Sequence, residues 1–325
     1  MNAVKIRFAC GLYDRMLPLY TRDVVPAGID LAFEAIDSPR EIFDRMSGRQ
    51  EFDAAELSAS EFISQMAAGD RNFVAIPVFP SRVFRHGLIT INKRSGIRTP
   101  KDLEEKRIGV PLYTMSAAVW IRGHLQHEYG VDLSSITWVQ GAINKAGTHG
   151  TPTVKPLLRP VNIQRNDSGA TLSDLLAEDK IDAIIGTSLP ACIKTDPDIV
   201  RLFPNYREVE REYFIRTGIF PIMHLLAIRR ELYEAHPFIA KSLFDAFERS
   251  KNLALEKLRS PVALRYMLPW MTADADEIDT VFGGDPWPYG IEPNRATLQA
   301  LVQYMQEQFL IEKAMPIEAL FVPVD

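Results

Sequence analysis

The stretch FVAIPVFPSRVFRHGLITIN, residues 73 to 92, reads as two strands separated by a cationic break. Phe73 to Val78 and Gly87 to Ile91 carry the apolar pattern of sheet strands, and Arg82, Arg85 and His86 stand between them. Just beyond, Thr99, Pro100 and Asp102 supply the cap, first-turn proline and acidic third position of a helix start, and Arg107 to Val110 begins another strand. The chain is therefore passing from one α/β unit to a second.

Both directions from this point support that reading. Upstream, Val4 to Cys10 is a strand broken at Gly11, with a helix predicted from Asp14 to Thr21. Ile29 to Ala35 is a second strand, Ser38 caps a helix that has Pro39 at its first position, and Asp53 to Leu57 is a third strand ending in polar residues. Downstream, Ser116 to Glu128 is helical, Ile136 to Val139 is a strand, and Gly141 to Ala170 is a long loop with one strand predicted at Val161 to Gln164. Leu172 to Glu178 is a helix, Asp182 to Ile185 a strand, and the apolar run Ile219 to Ile228 returns the chain to the first unit. Glu231 to Leu258 and Thr297 to Lys313 are amphipathic helices whose apolar faces must cover that lobe or another subunit.

The fold class is α/β, because strands alternate with helices. Residues 1–95 with 205–325 form lobe 1, and 96–204 form an inserted lobe 2. Each lobe is a sheet flanked by helices, with a hinge and an interlobe cleft. This architecture resembles the type II periplasmic-binding-protein-like fold. At 325 residues, with 46% hydrophobic and 24% charged residues, the chain has enough apolar surface for two such cores. A formal net charge of −5 argues against a nucleic-acid-coating protein. The two cysteines, Cys10 and Cys192, lack the spacing of a metal knuckle or redox pair. The N-terminus reads as a strand rather than a leader, and no apolar run is long enough to span a membrane, so the expected location is cytoplasmic.

In open α/β sheets, ligand groups gather beyond the carboxyl ends of the strands. Asp14 and Arg15, Glu56 with Ser58 and Ser60, Ser81 to His86, Thr114 with Ser116, and Thr187 with Ser188 fall there, and His224 lies in the return strand. Arginine forks pair bidentately with carboxylates, so Arg15, Arg82 and Arg85 would suit a dianion. Each residue also has a structural reading: Arg15 as a surface partner of Asp14, Glu56 or Ser116 as a helix cap, and His224 as a core histidine. No phosphate loop or dinucleotide fingerprint appears.

CGLYDR (10–15), VPAGIDL (25–31), EFDAAELSASEFI (51–63), FVAIPVFPSRVFRHG (73–87), LQHEYGV (125–131), RLFPNYREVE (201–210) and RTGIFPIMH (216–224) together resemble the 4,5-dihydroxyphthalate decarboxylase family. The resemblance implies non-oxidative loss of carbon dioxide from a dihydroxylated aromatic ortho-dicarboxylate, giving protocatechuate, in phthalate degradation. It implies no redox cofactor. On this reading His86 and His224 are the candidate acid and base, and Glu56 orients one of them or accepts a phenol proton. Arg15, Arg82 and Arg85 clamp carboxylates, while Ser58, Ser60, Thr114, Ser116 and Ser188 donate hydrogen bonds. A divalent metal held by Glu56 and the two histidines ranks below the metal-free version. The expected partner is the small aromatic dicarboxylate, with no nucleic acid or membrane and homo-oligomerisation left open. The alternative is a non-catalytic binding protein or sensor for an aromatic carboxylate, which the same fold would serve.

Overall fold

The computed structural model describes residues 3–153, 155–260, 262 and 264–325. Its strands are β1 (Val4–Cys10), β2 (Ile29–Ala35), β3 (Ala54–Ser58), β4 (Phe73–Arg82), β5 (Ile89–Asn92), β6 (Arg107–Val110), β7 (Thr137–Gln140), β8 (Ile163–Arg165), β9 (Ala183–Ile185), β10 (Ile199–Arg201) and β11 (Ile222–Arg229). They form a five-stranded sheet in the order β2-β1-β3-β11-β4 and a six-stranded sheet in the order β10-β5-β9-β6-β7-β8. The helices are α1 (Leu17–Tyr20), α2 (Pro39–Phe43), α3 (Ala59–Ala67), α4 (Ser116–Tyr129), α5 (Leu172–Ala177), α6 (Tyr206–Thr217), α7 (Arg230–Ala235), α8 (Phe238–Arg259), α9 (Met271–Phe282) and α10 (Arg295–Glu307).

The first sheet is parallel over β2-β1-β3 and is joined by antiparallel β11, whose neighbours are β3 and β4. The second is parallel over β9-β6-β7-β8, with β5 and β10 antiparallel to their neighbours. One correction concerns the first lobe's expected end at residue 95. β5 pairs with β9 and β10, so the chain crosses between Arg82 and Ile89. Periodicity marks a strand but not the partner it will choose. The predicted helix from Glu231 to Leu258 is likewise two helices, because Pro237 interrupts it. Ile239, Leu243 and Phe247 of α8, and Leu298 and Leu301 of α10, are buried, so both apolar stripes are used within the chain.

Helix α4 ties the two halves together. Trp120 Nε1 donates to Ile222 O at 2.8 Å. Arg122, fully buried, donates to Gln308 Oε1 at 2.8 Å and to Tyr113 O at 2.8 Å, while Gln308 returns a bond to Val119 O at 3.0 Å. Tyr304 of α10 lies over Gly123, where a Cβ would sit 2.1 Å from the ring. Among the described residues, no helix is long and apolar enough to cross a membrane.

His86 lies in this interior, at the crossing. Its ring stacks on His124 of α4 at 4.9 Å, with Phe203 and Tyr213 beside it. Among the described residues, neither nitrogen of His86 has a hydrogen-bond partner, and Glu210 is 3.9 Å from Nδ1. Burial pushes the His86 pKa down to about 4 and that of His124 well below its usual value. A histidine with a depressed folded-state pKa stays neutral while the unfolded chain takes up a proton, so it destabilises the fold as pH drops below the unfolded value. Between pH 7 and pH 5, His86 alone should cost about 2 kcal/mol of unfolding free energy, and His124 adds to it. Denaturant titrations at the two pH values should show this loss, and His86→Phe with His124→Phe should reduce it. An unchanged slope in the double variant would show that other groups carry the acid sensitivity.

Candidate active site

At the carboxyl end of the first sheet, the carboxylate of Glu56 is completely buried on β3. A charge in that position is tolerated only if it is paired and hydrogen-bonded. Four neighbours meet the requirement. His224 Nδ1 lies 2.5 Å from Oε1, and Tyr13 Oη donates to the same oxygen at 2.9 Å. The Gly11 N–H and the Cys10 thiol both donate to Oε2 at 3.3 Å. Burial pushes the Glu56 carboxyl up, but the His224 ring and these hydrogen bonds outweigh it and hold the pKa below the usual value. Burial beside this carboxylate pushes both the Cys10 thiol and the Tyr13 phenol up.

The local sequence explains the convergence. β11 runs antiparallel to β3, pairing His224 with Ser58 and Leu226 with Glu56, so Glu56 lies diagonal to His224 on one face. Irregularities in the β11–β4 register flank His224. Gly11 lets the chain fold back after β1, since a Cβ there would lie 2.7 Å from the Tyr13 ring. The His224 and Phe43 rings pack nearly perpendicular, with centroids 4.8 Å apart. With Glu56 ionised and able only to accept, His224 must carry its proton on Nδ1, which leaves Nε2 available to a substrate.

Beside this pair lies a cluster of hydroxyls drawn from both halves of the chain. Ser58 Oγ is 3.0 Å from Ser116 Oγ and 3.3 Å from Ser60 Oγ. The Ser60 N–H donates to Ser116 Oγ at 3.0 Å, and Ser60 Oγ to Thr114 O at 2.8 Å. Glu56 caps no helix, and Ser116 opens α4 without capping it but accepts from the Ser60 N–H in the first turn of α3, so it keeps a structural role there.

Other expected residues lie elsewhere. His86, in its aromatic cage, makes no contact with Glu56, so the structure does not assemble the Glu56, His86 and His224 ligand set. Among the described residues, no three His, Cys, Asp or Glu side chains are grouped to hold a metal ion. Arg82 is buried between the Phe79 and Phe220 rings and reaches Pro288 O at 3.4 Å, with burial lowering its pKa to about 9. Arg85 is also buried, with its pKa lowered to about 10. Neither lines the serine cluster. Arg15 stacks between Tyr13 and Trp287, at 4.5 and 4.2 Å, and spends its donors on Pro80 O and Asp14. Ser188 is exposed after β9 and makes no hydrogen bond to the described residues.

Sequence reasoning passed over Tyr13, although CGLYDR contains it, and read Cys10 only as a buried thiol. It also passed over Arg40, Thr153 and Lys155, which line a small space with Ser58, Ser60 and Thr114. A larger cavity of about 670 Å³ between α6, α8 and α9 has Arg15 and Trp287 on its wall, but neither Glu56, His224 nor the serines. Glu56 and His224 line neither space, and the sheet register sets His224 directly opposite Ser58 of the serine cluster.

No family profile matches the chain. Among curated proteins, it is 36% identical over 324 residues to a 4,5-dihydroxyphthalate decarboxylase of Comamonas testosteroni, covering 99% of this chain and 98% of that one. It is 38% identical over 192 residues to one from Pseudomonas putida, covering 59% of this chain and 74% of the relative. Similar solved structures include an alkanesulfonate-binding protein of Xanthomonas axonopodis bound to MOPS, with TM-score 0.51 and 11% identity over 99% of this chain and 98% of that one. The periplasmic aliphatic sulphonate binding protein of Escherichia coli has TM-score 0.50 and 13% identity over 99% and 92%. These neighbours show a periplasmic-binding-protein-like fold, and identity along nearly the full length places the chain in the 4,5-dihydroxyphthalate decarboxylase family.

Proposed function

We propose that the protein removes one carboxylate of 4,5-dihydroxyphthalate as carbon dioxide, leaving protocatechuate, with His224 and Glu56 moving the proton. The observation that carries this reading is the 2.5 Å contact between the His224 ring and a fully buried carboxylate, on a strand that pairs His224 with Ser58. Replacing a ring carboxylate by hydrogen consumes one proton. The ring carbon accepts that proton as the hydroxyl para to it feeds electron density into the ring. The carbon–carbon bond then breaks, its electron pair restores aromaticity, and carbon dioxide leaves. His224 protonated on Nε2 delivers the proton, and Glu56 offsets the charge of the imidazolium while fixing its orientation. Ser58, Ser60 and Ser116 offer hydroxyls to the ring oxygens.

The electrons of the broken bond stay in the ring, so the step needs no external acceptor, and the proposal is metal-free. The partner is one small aromatic dicarboxylate, with no role for nucleic acid or membrane, and the proposed setting is phthalate degradation in the cytoplasm. A non-catalytic receptor would need no proton donor aimed at its ligand, and the His224–Glu56 pair favours the enzyme.

His224→Asn should lower kcat for 4,5-dihydroxyphthalate by about 10²- to 10⁴-fold, the usual range for a general acid–base group, with KM changing little. Glu56→Gln keeps the shape but removes the charge, and should lower kcat by roughly 10²-fold. Full carbon dioxide release by His224→Asn would sink the assignment. Separately, exhaustive dialysis against a chelator should leave kcat unchanged. Activity lost on chelation and regained with one divalent ion would overturn the metal-free version.

A further inference from the structure

The space bounded by Arg40, Ser58, Ser60, Thr114, Thr153 and Lys155 measures about 10 Å³, room for a single water. Holding even a benzene ring takes a cavity of roughly 150 Å³. Something must therefore move before an aromatic ligand enters, and the structure contrasts two ways of opening. Separating the lobes at α4 would break the buried Trp120–Ile222 and Arg122–Gln308 hydrogen bonds and strip the buried Arg122 guanidinium of one of its acceptors. The loop after β7 is held far more lightly.

That loop is anchored at each end and crosses to the other lobe between them. Asn144 is fixed to lobe 2 through Leu189 O and the Ala191 N–H, and the Leu158 N–H donates to Phe309 O at 2.9 Å. Between these anchors, Thr151 N–H donates to Asp44 Oδ2 at 2.9 Å, and Gln65 reaches Thr153 O at 3.4 Å. Gly150, with φ of +71°, lies so close to lobe 1 that a Cβ would be 2.6 Å from Arg40 Cγ and 2.7 Å from Asp44 Oδ2. Gly147, also at positive φ, has open space around it.

The charges at the sealed space are unequal. Arg40 is taken up by Asp44 at 2.6 Å and Glu61 at 3.2 Å. Among the described residues Lys155 pairs only with Asp70, at 3.9 Å, a long pair worth little. It is therefore the cation with attraction to spare for an incoming anion.

We propose that residues 145–153 are a lid that opens the cleft while α4 stays in place, latched through Gly150 and Thr151 on Asp44, and that Lys155, at the edge of this lid, reads a substrate carboxylate. Substrate choice then depends on a residue that reaches the ligand only when the lid is down. Lys155 is a specificity-determining residue in this scheme, and Gly150 is a latch residue outside the chemistry. The Lys155 assignment rests on the decarboxylase reading for its choice of ligand, whereas the lid does not.

The experiment uses phthalate and benzoate as probes, since neither carries the ring hydroxyls that the reaction needs. Calorimetry should show that the parent protein prefers the diacid phthalate to the monoacid benzoate. Lys155→Ala should bind phthalate at least about tenfold more weakly and lose that preference, while Lys155→Arg keeps most of both. Equal phthalate affinity in the parent and Lys155→Ala, or no phthalate binding by the parent, overturns the assignment. Hydrogen exchange of Gly150→Ala should be about tenfold faster across residues 145–153 and unchanged across residues 116–129. No acceleration, or parallel acceleration in both segments, overturns the lid. Carbon dioxide release from 4,5-dihydroxyphthalate, measured on the same preparation, reports separately on the decarboxylase reading. Its absence with phthalate binding and lid exchange as expected would remove that reading and leave the lid standing.

Discussion

A carboxylate with no exposed surface is the constraint around which the first sheet is arranged. Glu56 has left water entirely, and the cost is offset only because Cys10, Gly11, Tyr13 and His224 all face it. Three strands are bound by that requirement. β1 must stop at Cys10 so that Tyr13 can fold back, β3 must carry Glu56 inward, and β11 must run antiparallel so that His224 arrives diagonally opposite. The same requirement fixes the tautomer of His224, since an ionised carboxylate can only accept. Stability and chemistry are thus imposed by one contact.

The second half of the chain contributes little charge to this site but sets its walls. Ser116 at the start of α4 joins Ser58 and Ser60, which makes the hydroxyl cluster a joint product of both sheets. Helix α4 is in turn fastened to β11 and α10 by buried polar bonds. A scaffold fixed in this way suits chemistry that needs a proton donor held in one place.

Much of the fold was legible because it rests on local signals. Ser38 with Pro39 marked a helix, alternation marked β1, a short run ending in polar residues marked β3, and strand ends with the return strand marked Glu56, Ser58, Ser60, Thr114 and His224 as candidates for one site. What failed were inferences needing three-dimensional partners. β5 was placed with lobe 1 because its apolar run is the same whichever sheet it joins. Arg82, Arg85 and His86 looked like cleft residues because charge beside a strand usually faces solvent, yet the crossing buries all three, Arg82 between Phe79 and Phe220 and His86 against Phe203 and His124. Tyr13 went unnoticed because a tyrosine in a turn carries no special pattern. Only the backward fold at Gly11 brings it to Glu56.

The central claim is that Glu56 holds His224 in one tautomer with Nε2 free for proton transfer. Nitrogen-15 NMR of the protein labelled at its histidine rings, with His224 assigned by its loss in a His224→Asn sample, tests this directly. The account predicts that neutral His224 carries its proton on Nδ1, with that proton far downfield and the unprotonated nitrogen at Nε2. A neutral His224 protonated on Nε2, with Nδ1 bare, would contradict it.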